Sequence, residues 1–177
     1  MTPTFETDRL LLRDWDPEGE AEWALQIYGD SEVMRYIGDG QTVPGGEAMR
    51  LRLQQWLDLS RGLNNGTGFW AIAEKSTQHP VGTIILKQLP DGEGNPTPDW
   101  EVGWHLRRAS WGQGYVTEAA RPVVAYGFHV LKLPVIYAVV HPDNGRSQRV
   151  TQRLGMVPLG TTEQYYGREV LLFALRP

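Results

Sequence analysis

The chain has 177 residues, 41% hydrophobic and 21% charged, with a formal net charge of −4. That length bounds it to one domain of ordinary size with a single substantial core, and the acidic balance gives no overall basic field to recruit nucleic acid or anionic lipid. It has no cysteine, which removes disulfides, thiolate metal sites and thiol nucleophiles together and is compatible with a reducing cytoplasm.

No apolar run approaches the roughly 20 residues of a membrane span, and "MTPTFETDRL" is not a charged-then-apolar signal segment. The expectation is a cytoplasmic protein with no membrane partner. "RLLLRDW" (9–15) reads as a first strand. Asp16 offers an N-cap with Pro17 at the first helical position, and Trp23, Ile27 and Tyr28 mark the buried side of that helix. "DSEVMRYIGDG" reads as a short second helix. "GEAMRLRLQQWLDLSRG" sets Met49, Leu53, Trp56 and Leu57 on one stripe, a third helical piece. "FWAIAEK" and "PVGTIILKQL" then read as strands. "PDGEGNPTPD" (90–99) is the clearest loop, inside a hairpin. "WEVGWHLRR" is the next strand, followed by a glycine turn and a helix over about 113–131, which Pro122 and Gly127 should weaken or kink. "VIYAVV" predicts a strand buried on both faces. "DNGRSQRVTQRLG" predicts a short helix ending on Gly155, and "MVPLGTTEQYY" and "REVLLFALR" close the chain as antiparallel strands. This order gives an α/β layer fold around a mixed sheet.

The histidines at 79, 105, 129 and 141 show no metal spacing, so no metal site is expected. "GQGYVT" lacks the Gly-Lys-Ser/Thr ending of a triphosphate loop and is not a three-glycine dinucleotide fingerprint. Ser147 in "GRSQ" has no nucleophile-elbow context. What remains in "SWGQGYVTEAA" is either a plain strand-to-helix turn or an anion cradle, in which glycines let main-chain N–H groups approach a phosphate at a helix start.

Four motifs in order carry a resemblance from about Thr7 onward. "WGQGYVTEA" is similar to the pyrophosphate loop of the GNAT acyltransferase superfamily, in the form common in its RimJ/RimL-like branch. "TDRLLLRDWDPEGEAEW" with "DSEVMRYIG", "EVGWHL", and the set Asn144, Ser147, Leu154 and Gly155 match further motifs of that branch. The resemblance implies one GNAT domain over residues 1–177, a mostly antiparallel mixed sheet of about seven strands with helices on both faces, and acetyl-CoA (released as CoA) as co-substrate without a metal. It implies transfer of an acetyl group to a primary amine by direct attack in a ternary complex. The acceptor is a peptide or protein N-terminus or a small-molecule amine, and the state a monomer or homodimer. A non-catalytic acyl-CoA-binding domain is the alternative.

The same resemblance implies the site. Main-chain groups of Trp104, His105 and Leu106 would hold the pantetheine arm as an added strand. Trp111, Gly112, Gln113, Gly114, Tyr115, Val116 and Thr117 would form the diphosphate loop. Trp111 stands where the superfamily favours Gln or Arg, and Val116 where it favours Gly or Ala, which predicts a shifted cradle. Arg149 and Arg153 either meet outer phosphates or form an ordinary charged helix face. The position where many relatives carry a tyrosine acid is Thr151; Ser147 matches the serine to which the resembled branch assigns the role of donor to the departing sulfur, against the reading of a helix-surface hydroxyl. Asn144 bonds the pantetheine, caps its helix, or does both. Glu101 is either the proton acceptor for the amine or a plain strand carboxylate, with Asp99 and His105 as weaker rivals. Glu118 belongs to the helix start. Tyr165 and Tyr166 either line the acceptor cleft or pack in the last hairpin.

Overall fold

The computed structural model describes residues 2–177. In chain order the elements are β1 (Phe5–Glu6), β2 (Leu10–Arg13), α1 (Pro17–Tyr28), α2 (Ser31–Met34), α3 (Gly46–Leu63), β3 (Gly68–Glu74), β4 (Pro80–Pro90), β5 (Pro96–Leu106), a 3-10 turn (Arg108–Ser110), α4 (Tyr115–His129), β6 (Ile136–Val140), α5 (Gly145–Arg153), β7 (Val157–Thr162) and β8 (Val170–Leu175). The strands hydrogen-bond in the order β1-β2-β3-β4-β5-β6-β8-β7. β5 and β6 run parallel through Glu101 and Tyr137, while the β1/β2, β2/β3, β6/β8 and β7/β8 pairs are antiparallel. The mixed sheet is as expected, with eight strands in place of about seven. The extra strand is the two-residue β1, paired through Phe5 with Leu12 and Glu6 with Leu11. A segment so short shows no periodicity for a sequence reading to detect.

The chain forms two compact units. One comprises residues up to Ile85 with Trp104–Ala119. Here Asp16 caps α1 through the Glu18 N–H at 3.2 Å, and Pro17 opens the helix. The buried face carries Ala24, Ile27 and Tyr28 against Met49 and Leu53 of α3, all at most 1% exposed. Each large apolar side chain so buried contributes about 1.5–3 kcal/mol. Trp23, expected on that face, is half-buried at its margin and stacks on His79, with ring centroids 4.0 Å apart.

The second unit comprises Leu86–Gly103 and Ala120–Pro177. The expected loop shrinks to residues 91–95, because β5 already begins at Pro96. Asp91 closes the turn, its N–H donating to the Asn95 carbonyl at 2.8 Å. Its Oδ1 accepts from Glu93 and Asn95 N–H groups, both at 2.9 Å. Pro96 and Pro98 are exposed strand positions, where a missing N–H is tolerated. α4 runs unbroken through Pro122 to His129. Gly127 has a packing reason: a Cβ there would stand 2.6 Å from Ile136 Cδ1. β6 is buried on one face only, through Ile136, Ala138 and Val140, with Tyr137 and Val139 half-buried. Its β-branched and aromatic run suits a half-covered strand as well as a fully covered one.

Candidate active site

In the first unit, Gly112 and Gly114 both adopt φ of +78°, the left-handed region that favours glycine. A Cβ on Gly112 would meet nothing within 4 Å, and one on Gly114 only Arg9 Nη2 at 3.7 Å, so the backbone on both is open to close approach. The Glu118 N–H donates to the Gly114 carbonyl at 3.1 Å, closing the first turn of α4. The N–H groups of Tyr115, Val116 and Thr117 therefore precede the intrahelical ladder and carry the positive end of the helix dipole. Thr117 Oγ1 is buried with no hydrogen-bond partner among the described residues. Val116 is 8% exposed and Tyr115 5%, so both side chains lie with the core residues.

The loop is pinned by residues far away in sequence. Arg9 donates from Nη1 to the Gln113 carbonyl at 3.1 Å and from Nε to Glu118 Oε2 at 2.7 Å. Thr7 Oγ1 and the Arg9 N–H donate to Glu118 Oε1 at 2.6 and 2.9 Å. The Arg9 guanidinium lies 4.6 Å from the Tyr115 ring centroid, and the Tyr115 hydroxyl donates to Glu74 Oε1 at 2.6 Å. Glu118 is thus an anchor at the helix start, as its position predicts. Trp111 Nε1 donates to the Leu106 carbonyl at 3.0 Å, and Gln113 Nε2 reaches the Ala109 carbonyl at 3.3 Å. Two open glycines, three N–H groups at a helix start, a buried hydroxyl and a nearby guanidinium fit a diphosphate.

Trp104, His105 and Leu106 end β5 in the same unit. The His105 carbonyl would lie 2.5 Å from a Cβ on Gly82, so the two backbones approach closely there. His105 Nδ1 lies 3.0 Å from the Tyr28 hydroxyl, which also meets Thr83 Oγ1 at 2.6 Å. Burial pushes the Tyr28 phenol up, keeping it protonated.

In the second unit, Asn144 caps α5, its Oδ1 accepting from the Ser147 N–H at 3.2 Å. Ser147 is half-buried and Arg149 and Arg153 are exposed. Thr151 is fully buried and donates its hydroxyl to the Gln148 carbonyl at 2.7 Å, inside its own helix.

The same unit gathers two carboxylates and two tyrosines. Asp99 and Glu101, two apart on β5, project from one strand face. The Tyr165 hydroxyl donates to Asp99 Oδ2 at 2.7 Å, and the Tyr166 hydroxyl donates to Glu101 Oε1. Lys87 Nζ lies 3.5 Å from that same oxygen and 5.3 Å from the Tyr166 ring centroid. Tyr166 takes a left-handed φ of 61°, and its N–H donates to the Pro90 carbonyl at 3.4 Å. Glu101 is 5% exposed. Burial pushes its carboxyl up, against the lowering by Lys87 and by the Tyr166 hydrogen bond. Burial and the adjacent carboxylates push both phenols up.

Within the first unit, then, the loop at 112–117 meets Arg9, and within the second, Glu101 meets Tyr166. The sequence reading missed Arg9, Glu74 and Lys87 as partners. Their signal is spatial: Arg9 and Glu118 are 109 residues apart in the chain. Among the described residues no group of His, Asp and Glu is placed to hold a metal ion.

A family model described as an acetyltransferase (GNAT) domain matches residues 9–157. The chain is 31% identical to the uncharacterized N-acetyltransferase YoaA of Bacillus subtilis (strain 168), over 93% of this chain and 89% of that protein. It is 30% identical to the FsC-acetyl coenzyme A-N(2)-transacetylase of Aspergillus fumigatus, over 90% of this chain and 67% of that protein. In fold it is similar to RimL, a ribosomal L7/L12 alpha-N-protein acetyltransferase solved with coenzyme A. The TM-score is 0.78 with 15% identity, covering 98% of each chain.

Proposed function

The chain belongs to the GNAT acetyltransferase family and is an acetyl-CoA-dependent N-acetyltransferase, and from that premise we propose that it is a RimJ/RimL-like member acting on the N-terminal α-amine of a protein or peptide. The observation that carries the cofactor half of this reading is the pair of left-handed, open glycines at 112 and 114 before the start of α4.

Bound acetyl-CoA supplies an activated acetyl thioester. In this reading the whole chain acts as one catalytic domain. The N–H groups at 112–117 hold the diphosphate, and Thr117 Oγ1 gives it a further polar contact. Main-chain groups of Trp104, His105 and Leu106 hold the pantetheine arm, while Arg149 and Arg153 serve the outer phosphates. Asn144 fixes the first turn of α5 and thereby the position of Ser147, whose hydroxyl donates to the departing sulfur. Glu101 accepts the proton that the amine must lose, since only the neutral amine has a lone pair to attack with. Burial favours the neutral carboxylic acid and so makes Glu101 a stronger proton acceptor than a solvated glutamate. A protein N-terminus as acceptor fits a cytoplasmic location.

A small cationic amine is the second reading, favoured by the two carboxylates, Asp99 and Glu101, beside Tyr165 and Tyr166. A panel of peptides with free N-termini and of small di- and monoamines, each offered with acetyl-CoA, separates the two. Turnover confined to peptides supports the first reading, and turnover confined to small amines overturns it.

A further inference from the structure

We propose that Tyr166 is the outer end of a proton relay that carries the acceptor amine's proton into Glu101, with Lys87 balancing the charge of the carboxylate. The proposal rests on the reading of Glu101 as proton acceptor, and deepens it by naming the group through which the proton arrives. Glu101 is 5% exposed, too enclosed for an ammonium group to reach it directly. Tyr166 keeps intermediate exposure, and its phenol already donates to Glu101 Oε1. A proton entering through Tyr166 needs no opening of the strand.

The step balances without any further reactant. The ammonium N–H bond breaks as its proton binds the phenolic oxygen, while the phenol's own O–H bond breaks and that hydrogen binds Glu101 Oε1. The amine keeps its lone pair, the phenol is regenerated, and the carboxylate becomes a carboxylic acid. The reverse passage after transfer returns the proton to solvent. Tyr166 carries no net charge before or after, which suits a phenol whose burial opposes ionisation.

Among the described residues, charged and titratable groups face this pair from several elements. Lys87 comes from β4, 3.5 Å from Glu101 Oε1. Tyr137 is the register partner of Glu101 on β6. Asp99 lies two residues along β5, occupied by Tyr165. Arg168 acts electrostatically on Tyr166 from the segment before β8. Lys87 favours the ionised carboxylate before the proton arrives. The left-handed backbone of Tyr166, tied to the Pro90 carbonyl, aims the phenol at β5.

The test compares wild type, Tyr166→Phe, Glu101→Gln and the double variant by kcat/KM against pH, at saturating acetyl-CoA. CoA-induced thermal stabilisation serves as the folding control. General-base catalysis contributes about 100- to 10,000-fold, so both single variants should lose at least ~10-fold at neutral pH. The double variant should be no worse than Glu101→Gln, because the two groups act as a unit. The Tyr166→Phe loss should shrink as pH rises and the amine arrives already neutral, a trend that a merely structural tyrosine would not produce. Glu101→Gln at full activity overturns the reading of Glu101 itself. An impaired Glu101→Gln with an unimpaired Tyr166→Phe, a pH-independent Tyr166→Phe loss, or multiplicative losses in the double variant overturns the relay alone. Should Tyr166→Phe fail the folding control, a ring-fluorinated tyrosine at 166 keeps the contacts and lowers the phenol pKa. A shifted pH profile then supports the relay, and an unchanged one overturns it.

Discussion

Gly114→Val separates the cost of a strained backbone from the cost of a blocked cradle. The φ of +78° at this position is one that a β-branched residue tolerates badly, at about 1–3 kcal/mol. The new Cβ has only the end of the Arg9 side chain near it, at 3.7 Å, an ordinary contact distance, so no clash with the core adds to that figure. For a chain of this size each kcal/mol moves Tm by about 2–4 °C, and the variant should melt roughly 2–12 °C lower yet remain folded. Binding should suffer more. The valine side chain occupies the open space through which a phosphate would approach, and losing one or two hydrogen bonds to a charged group costs about 2–4 kcal/mol. That is ~30- to ~1000-fold in Kd. Calorimetric titration of CoA into the folded variant, beside a thermal melt of the unliganded protein, reads both quantities. Unchanged CoA affinity in a folded Gly114→Val would refute the placement of this glycine in a phosphate cradle.

CoA at about 100 times its Kd should stabilise wild type by about 2.7 kcal/mol, a Tm rise of roughly 5–11 °C; no shift at saturation would contradict the cradle. Ser147→Ala should lower kcat by ~10- to ~1000-fold with acetyl-CoA affinity nearly intact, as single-turnover rates and equilibrium titration can show; full activity would return Ser147 to the surface of α5. Because burial raises the Glu101 carboxyl pKa in the folded state, the native protein binds that proton more tightly than the unfolded chain does. The associated stability is present below the unfolded value and is lost as pH rises through the raised folded one. Glu101→Gln lacks this dependence, so wild type should lose stability relative to the variant as pH rises above the ordinary carboxylate value of 4.5, measured by urea unfolding. A pH-independent difference would refute the assignment.

What was legible in the sequence was what local chemistry dictates. Asp16 and Pro17 mark the start of α1 and Gly155 the end of α5, because caps act within one turn. Met49 and Leu53 reveal the buried stripe of α3 through helical spacing alone. The prolines at 96 and 98 misled, since a breaker cannot be told from an exposed strand position without knowing which N–H groups the ladder uses. In the candidate site, the glycines of the loop are visible as glycines, but their anchor is not. Arg9 reaches Gln113 and Glu118 only through the tertiary fold. Likewise Tyr166 reads as a hairpin aromatic until its left-handed backbone places the phenol on Glu101. The proximity of Lys87 on β4 to the same carboxylate on the neighbouring β5 has no one-dimensional signature.

The central claim is acetyl transfer to an amine, and its most direct test quantifies both products of one reaction. Protein, acetyl-CoA and a primary-amine acceptor drawn from the peptide and small-amine panel are incubated together, and free CoA thiol and acetylated amine are measured side by side. The account predicts equal amounts of the two, absent without protein and abolished with the acceptor's amine blocked. Thiol released with no acetylated amine, or CoA bound with no thiol released across the panel, would contradict it.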